Sequence, residues 1–134
     1  MRAVVLSVLL LPSVAFAQAC WAEWDYMDHQ LIRAGQCSEN VSIRDFEKGF
    51  CKVRVEGDTL KTARSCPQTV KSKEGLNVVT HGIVAKCLNI APPMAGGKAH
   101  IYYYGGKSYT DSRESLRDIC KGFEGQWVEG ALGK

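Results

Sequence analysis

The chain has 134 residues, a formal net charge of +3, 46% hydrophobic and 23% charged residues, which suits one domain around one core and leaves no block of like charge. That balance carries no footprint of a nucleic-acid binder, and no apolar run is long enough to cross a bilayer as a helix. What the composition does bring forward is six cysteines, at positions 20, 37, 51, 66, 87 and 120.

The opening stretch, "MRAVVLSVLLLPSVAFAQAC", joins a lone Arg2 to an apolar run over residues 3–11, a Pro12 break and an Ala15-Phe16-Ala17 small-x-small site. This is the layout of a secretory signal peptide. Residues 1–17 are expected to be cleaved, with cleavage after Ala19 as the alternative, leaving 18–134 as a single disulfide-bonded domain, periplasmic or secreted. In such a compartment an even cysteine count reads as a framework of three bridges. Cys20 is close enough to the cleavage region for a lipid anchor to be weighed, but Gln18 suits such a site poorly and acylation would strand one of the other five thiols. No cysteine or histidine pair has the C-x2-C or H-x3-H spacing of structural zinc, and His29, His81 and His100 are scattered. No metal or other cofactor is expected.

From Cys20 onward, Cys20, Trp24, Met27, Leu31 and Ala34 recur at spacings of one helix face, so the pattern predicts an amphipathic helix stopped by Gly35. A shorter helix is suggested by "SIRDFEKG", with Ser42 as cap and Gly49 as stop. The period then changes. In "FCKVRVEGD", Cys51, Val53 and Val55 alternate with polar residues, giving a strand that turns at Gly57-Asp58 and returns through residues 60–66, closed by Pro67. If Glu56 faces Lys61 across that hairpin, Cys51 faces Cys66, and a bridge between them is expected.

The segment "QTVKSKEG" reads as a polar connection. It leads to a long central strand, "LNVVTHGIVAKCLNI", in which Gly82 marks a bulge or bend. "APPMAGG" is a short turn and "AHIYYY" the next strand, with Ala99, Ile101 and Tyr103 on one side and His100, Tyr102 and Tyr104 on the other. "TDSRESLRDICKG" reads as a helix capped by Thr110 or Asp111, with Leu116, Ile119 and Cys120 as its apolar face and Gly122 as its end. "GQWVEG" forms a last strand or a docked tail. Together these predict an α+β fold: a small disulfide-stabilised domain whose antiparallel sheet of about four strands is covered by N- and C-terminal helices.

Chemistry is sparse. Gly106-Lys107-Ser108 copies the end of a phosphate loop, but the first glycine of that motif would fall at Ile101. No G-x-S-x-G elbow is present. A thiol nucleophile paired with His81 or His100 competes with bridge formation. Carboxylate pairs such as Asp25 and Asp28 read as solvated surface. No catalytic residues are therefore assigned. Tyr102 and Tyr104 with His100 form the candidate binding stripe, because tyrosine couples apolar area to a hydrogen-bonding tip; the competing reading is that a helix covers the stripe. The leading expectation is a binding protein acting on a protein partner, for example an inhibitor of, or immunity factor against, a secreted hydrolase. The alternatives are a small-ligand or saccharide binder using the tyrosine face, and a secreted hydrolase with an unrecognised site.

Overall fold

The computed structural model describes residues 18–23, 25–26, 35–51, 59–74 and 76–130. They form β1 (Ala19–Glu23), β2 (Asp25–Tyr26), β3 (Gln36–Asn40), α1 (Phe46–Phe50), β4 (Thr59–Ala63), β5 (Thr69–Glu74), β6 (Asn77–Ile90), β7 (Ala99–Tyr104), α2 (Lys107–Gly122) and β8 (Gln126–Glu129). The strands join in the order β2-β5-β6-β7-β3-β1-β4, with β8 added beside β6. The pairings are antiparallel except for the two-residue parallel contact of β2 with β5.

The 14-residue β6 organises the sheet because its two halves serve different neighbours. Its first residues pair with β5, and its later ones with β7 and β8. The change of partner coincides with an irregularity between Ile83 and Ala85, immediately after Gly82, where an extra residue lets the strand bend. On β7 the alternation of a pleated strand sorts the side chains. Ala99, Ile101 and Tyr103 enter the larger core cluster with Cys20, Ile43, Phe46, Ala85, Cys87, Ile90 and Cys120, onto which Phe50, Tyr109, Leu116 and Trp127 also pack. Burying an Ile101-sized side chain is worth roughly 1.5–3 kcal/mol. The two helices thus supply the lid over this face, α1 through Phe46 and Phe50 and α2 through Tyr109, Leu116 and Cys120.

Helix α2 begins and ends by backbone geometry. Gly106 is its N-cap at φ 139°, a conformation that L side chains rarely adopt, and no side chain caps it. The helix therefore starts ahead of the expected caps, and the Thr110 hydroxyl instead donates to the Gly106 carbonyl at 3.2 Å. At the other end Glu124 is left-handed at φ 62°. Glu124 N–H donates to Lys121 O and Gly125 N–H to Cys120 O, at 3.0 and 2.8 Å, the paired bonds of a Schellman cap. The helix ends at Gly122, as expected, and Glu124 and Gly125 complete its cap. Glycine is required at 125 for space: a Cβ there would overlap the sulfurs of both Cys87 and Cys120.

The architecture corrects the α+β expectation. The chain is mostly antiparallel sheet with only two helices among the described residues, not a four-stranded sheet between terminal helices. The N-terminal helix expected from Cys20 is instead β1, held between β3 and β4. Cys20 enters the larger cluster while Ala19 and Trp21 enter the smaller one, so both faces of the strand are apolar and the two-residue period that marks a strand is erased. The rest of that expected helix, residues 24 and 27–34, lies outside the described residues. The polar connection of residues 68–75 is largely β5, and its Val70 is buried in the core.

All six cysteines are bridged, as Cys20–Cys51, Cys37–Cys66 and Cys87–Cys120. This corrects the expected Cys51–Cys66 pair. The returning segment, β4, pairs with β1, and residues 52–58, the first arm of the predicted hairpin, lie outside the described residues. The bridges span 31, 29 and 33 residues, loops for which chain-entropy arguments give roughly 3–4 kcal/mol each.

Candidate functional site

Both helices pack on the cluster that holds Ile101 and Tyr103, so the alternate residues of β7, His100, Tyr102 and Tyr104, face the opposite side of the sheet. Register supplies their neighbours. Tyr102 lies between Cys37 of β3 and Lys86 of β6, His100 lies opposite Glu39, and Tyr104 opposite Ile83. One strand further, Trp21 of β1 is opposite Cys37.

Tyr104 is enclosed. It is 1% exposed in a cluster with Ala19, Cys37, Cys66 and Val70, and its hydroxyl donates to the Pro67 carbonyl at 2.7 Å. Burial, with the nearby Tyr102 and Glu39, pushes its pKa well above the ordinary phenol range. The loop that carries Cys66 and Pro67 forms this cover, held in place by the Cys37–Cys66 bridge.

Tyr102 and His100 are half-buried. The Lys86 ammonium sits 5.3 Å from the centre of the Tyr102 ring, within reach of cation–π attraction. The His100 ring meets Tyr102 edge-on, with centroids 6.5 Å apart and planes at 88°. His100 Nδ1 accepts a bond from Asn89 N–H at 3.0 Å, which fixes the imidazole and leaves Nε2 as its other polar atom. The Tyr102 hydroxyl points toward Glu39 Oε1 at a long 3.4 Å, while Glu39 Oε2 accepts from Cys66 N–H at 2.9 Å. Partial burial, followed by the negative field of Glu39, raises the Tyr102 pKa. Beside this group the half-buried Trp21 has a buried indole N–H with no hydrogen-bond partner.

The structure therefore brings His100 and Tyr102 into one amphipathic patch and separates Tyr104 from it as packing. Glu39, Lys86 and Trp21 complete the patch, and the sequence carried no motif for them: they come from β3, β6 and β1 and meet Tyr102 only through register. With all six thiols bridged, a cysteine nucleophile beside His81 or His100 is not available. Among the described residues no cluster of three or more His, Cys, Asp and Glu side chains is arranged to hold a metal ion, and no helix is long and apolar enough to cross a membrane. Comparison with family models, with curated proteins and with solved structures finds no match. The three bridges place the chain in the class of small disulfide-stabilised domains suited to an oxidising, extracellular or periplasmic environment.

Proposed function

We propose that the chain is an exported binding protein, released to the periplasm or the exterior after loss of residues 1–17, or of 1–19, and that it acts by engaging another protein, such as a secreted hydrolase that it inhibits. The observation that carries this reading is the asymmetry of the sheet: one face lies under both helices, while the other presents Tyr102, His100, Lys86, Glu39 and Trp21 half-buried. Tyrosine and tryptophan combine large apolar area with a directional polar tip and are enriched at protein interfaces. A flat saccharide platform would need both Tyr102 and Tyr104 outward, and the burial of Tyr104 favours a protein partner over that alternative.

The test is affinity capture by the oxidised chain from the culture medium or periplasmic extract of its own cells, followed by affinity measurement on the purified partner. Tyr102→Ala should weaken binding by about 2 kcal/mol, an interface hot-spot value, and Lys86→Glu should slow association, with melting temperatures close to wild type. Unchanged affinity in both variants would remove this face as the binding surface.

A further inference from the structure

Among the described residues, three non-glycine residues hold left-handed backbone: Asn89 at φ 55°, Met94 at 63° and Glu124 at 62°. Two have a local reason. Asparagine tolerates this region, and Asn89 N–H is held by His100; Glu124 completes the α2 cap. Met94 has neither. Residues 92–95 make a turn closed by Ala95 N–H donating to Pro92 O at 3.2 Å. Pro93 is its second residue and Met94 its third, the type II pattern, in which the third position favours glycine or asparagine. A methionine there is strained, and with its side chain 104% exposed it regains nothing by packing within the chain. Strain kept where folding does not need it points to function.

The turn is also held firmly. Val41 N–H and Ser42 N–H both donate to Lys98 O at 3.0 Å, Ala91 N–H donates to Phe123 O at 2.9 Å, and Lys98 N–H donates to Ser42 Oγ at 2.9 Å. Two successive prolines stiffen the way in. The result is a convex apolar knob with little freedom left to lose on binding.

We infer that Met94 is an anchor residue, which the turn at 92–95 inserts into a concave apolar pocket on a second, folded protein. This rests on the reading of the chain as a protein-binding domain but not on which sheet face contributes. A flexible, polarisable thioether suits a pocket with aromatic walls. Ile119 and Phe123, also exposed, belong to the α2 end that is bonded to Ala91. Because the tip is turned and not extended, it is shaped to plug a pocket. One side chain on a tight turn also falls far short of the amphipathic, basic area by which proteins hold a lipid surface.

The test places a benzoylphenylalanine photoprobe at position 94 and, as a control of equal exposure, at Leu76, in the oxidised chain exposed to its own culture medium or periplasmic extract. The expected result is a crosslinked protein specific to position 94 that, once purified, binds the unmodified chain. Met94→Asn and Met94→Gly, both suited to the left-handed turn, should keep or raise the melting temperature while weakening that binding about 30-fold. Retained affinity in both variants overturns the inference and leaves the protein-binding reading standing. If the wild-type chain binds no protein at all, both fall. Crosslinking only to a second copy of the chain, or binding to phosphatidylglycerol vesicles that depends on Met94, also overturns it.

Discussion

The two faces of β7 divide six residues between opposite tasks. Ala99, Ile101 and Tyr103 lie under both helices and beside the sulfurs of Cys20, Cys87 and Cys120, so this face is sealed by apolar packing and by covalent bonds together. On the reverse face, among the described residues, the Tyr104 end is closed under the loop of Cys66 and Pro67, while Tyr102 and His100 keep part of their surface in solvent among charged neighbours. The run of three tyrosines thus holds a surface residue, Tyr102, followed by two core residues on opposite faces, Tyr103 and Tyr104, and their chemical identity does not distinguish them. What does is the parity of the strand combined with the extent of the neighbouring loop.

The most damaging way to break the sealed face is to remove its bridge. Cys87→Ala with Cys120→Ala should lower the unfolding free energy by roughly 4 kcal/mol, read from urea denaturation against wild type. Ile101→Ala, which leaves a cavity beneath the helices, should cost about 3 kcal/mol. Gly125→Ala, which forces a methyl group against both bridge sulfurs, should cost about 2 kcal/mol. The contrast sharpens at the tyrosines: Tyr104→Phe, losing a buried hydroxyl bonded to Pro67 O, should cost about 1 kcal/mol, whereas Tyr102→Phe should change the midpoint less. A Tyr102→Phe loss equal to that of Tyr104→Phe would show that the two faces are sealed alike.

The faces also differ toward base. Burial pushes Tyr103 up to about 12, and Tyr104 is raised further. Between the ordinary phenol value of 10.0 and these raised values, the unfolded chain has released protons that the folded chain retains, so stability falls as pH rises through that window. Urea midpoints followed from neutral pH into this range, together with phenolate absorbance, check it; Tyr103→Phe should flatten the fall. The smallest effect concerns Glu129, which two hydrogen bonds from Arg113, at 2.5 and 2.6 Å, hold down at about 2. Its contribution is present above the ordinary carboxylate value of 4.5 and is lost as pH falls from there toward 2. Because the pair is on the surface, added salt should shrink this contribution, and Arg113→Gln should remove most of it, leaving the part due to Trp127 and Arg117.

Where one face of an element is wet, its period was readable. The alternation of residues 99–104, the long strand ending at Ile90, the C-terminal helix and the short final strand all follow from sequence pattern. Elements apolar on both faces or polar on both were not readable. Strand β1 has core on each side and presents Ala19, Cys20 and Trp21 in succession, which fits a helix as well as a strand, and β5 is mostly polar around Val70. Bridge pairing depended on which strands are neighbours, and once β4 pairs with β1 and not with the segment after Cys51, the register that favoured Cys51–Cys66 has no basis. For the candidate patch, Tyr102 and His100 were visible as aromatics in a strand, but the cover over Tyr104 and the presence of Lys86, Glu39 and Trp21 are tertiary facts. Met94 lay in plain sight inside "APPMAGG". Its signal was a proline followed by a residue other than glycine or asparagine in a turn.

The Cys87–Cys120 bond encloses everything from residue 88 to 119 in a closed covalent ring, and the turn carrying Met94 lies inside that ring. A single cut by a protease at the exposed turn therefore releases no fragment: the new ends stay tethered through the sulfurs, and the strand pairing of β6 with β7 remains to hold them in register. The most exposed segment of this end of the molecule is thus one that can be nicked without the molecule coming apart, and a nicked population would migrate as one band until reductant is added and as two afterwards.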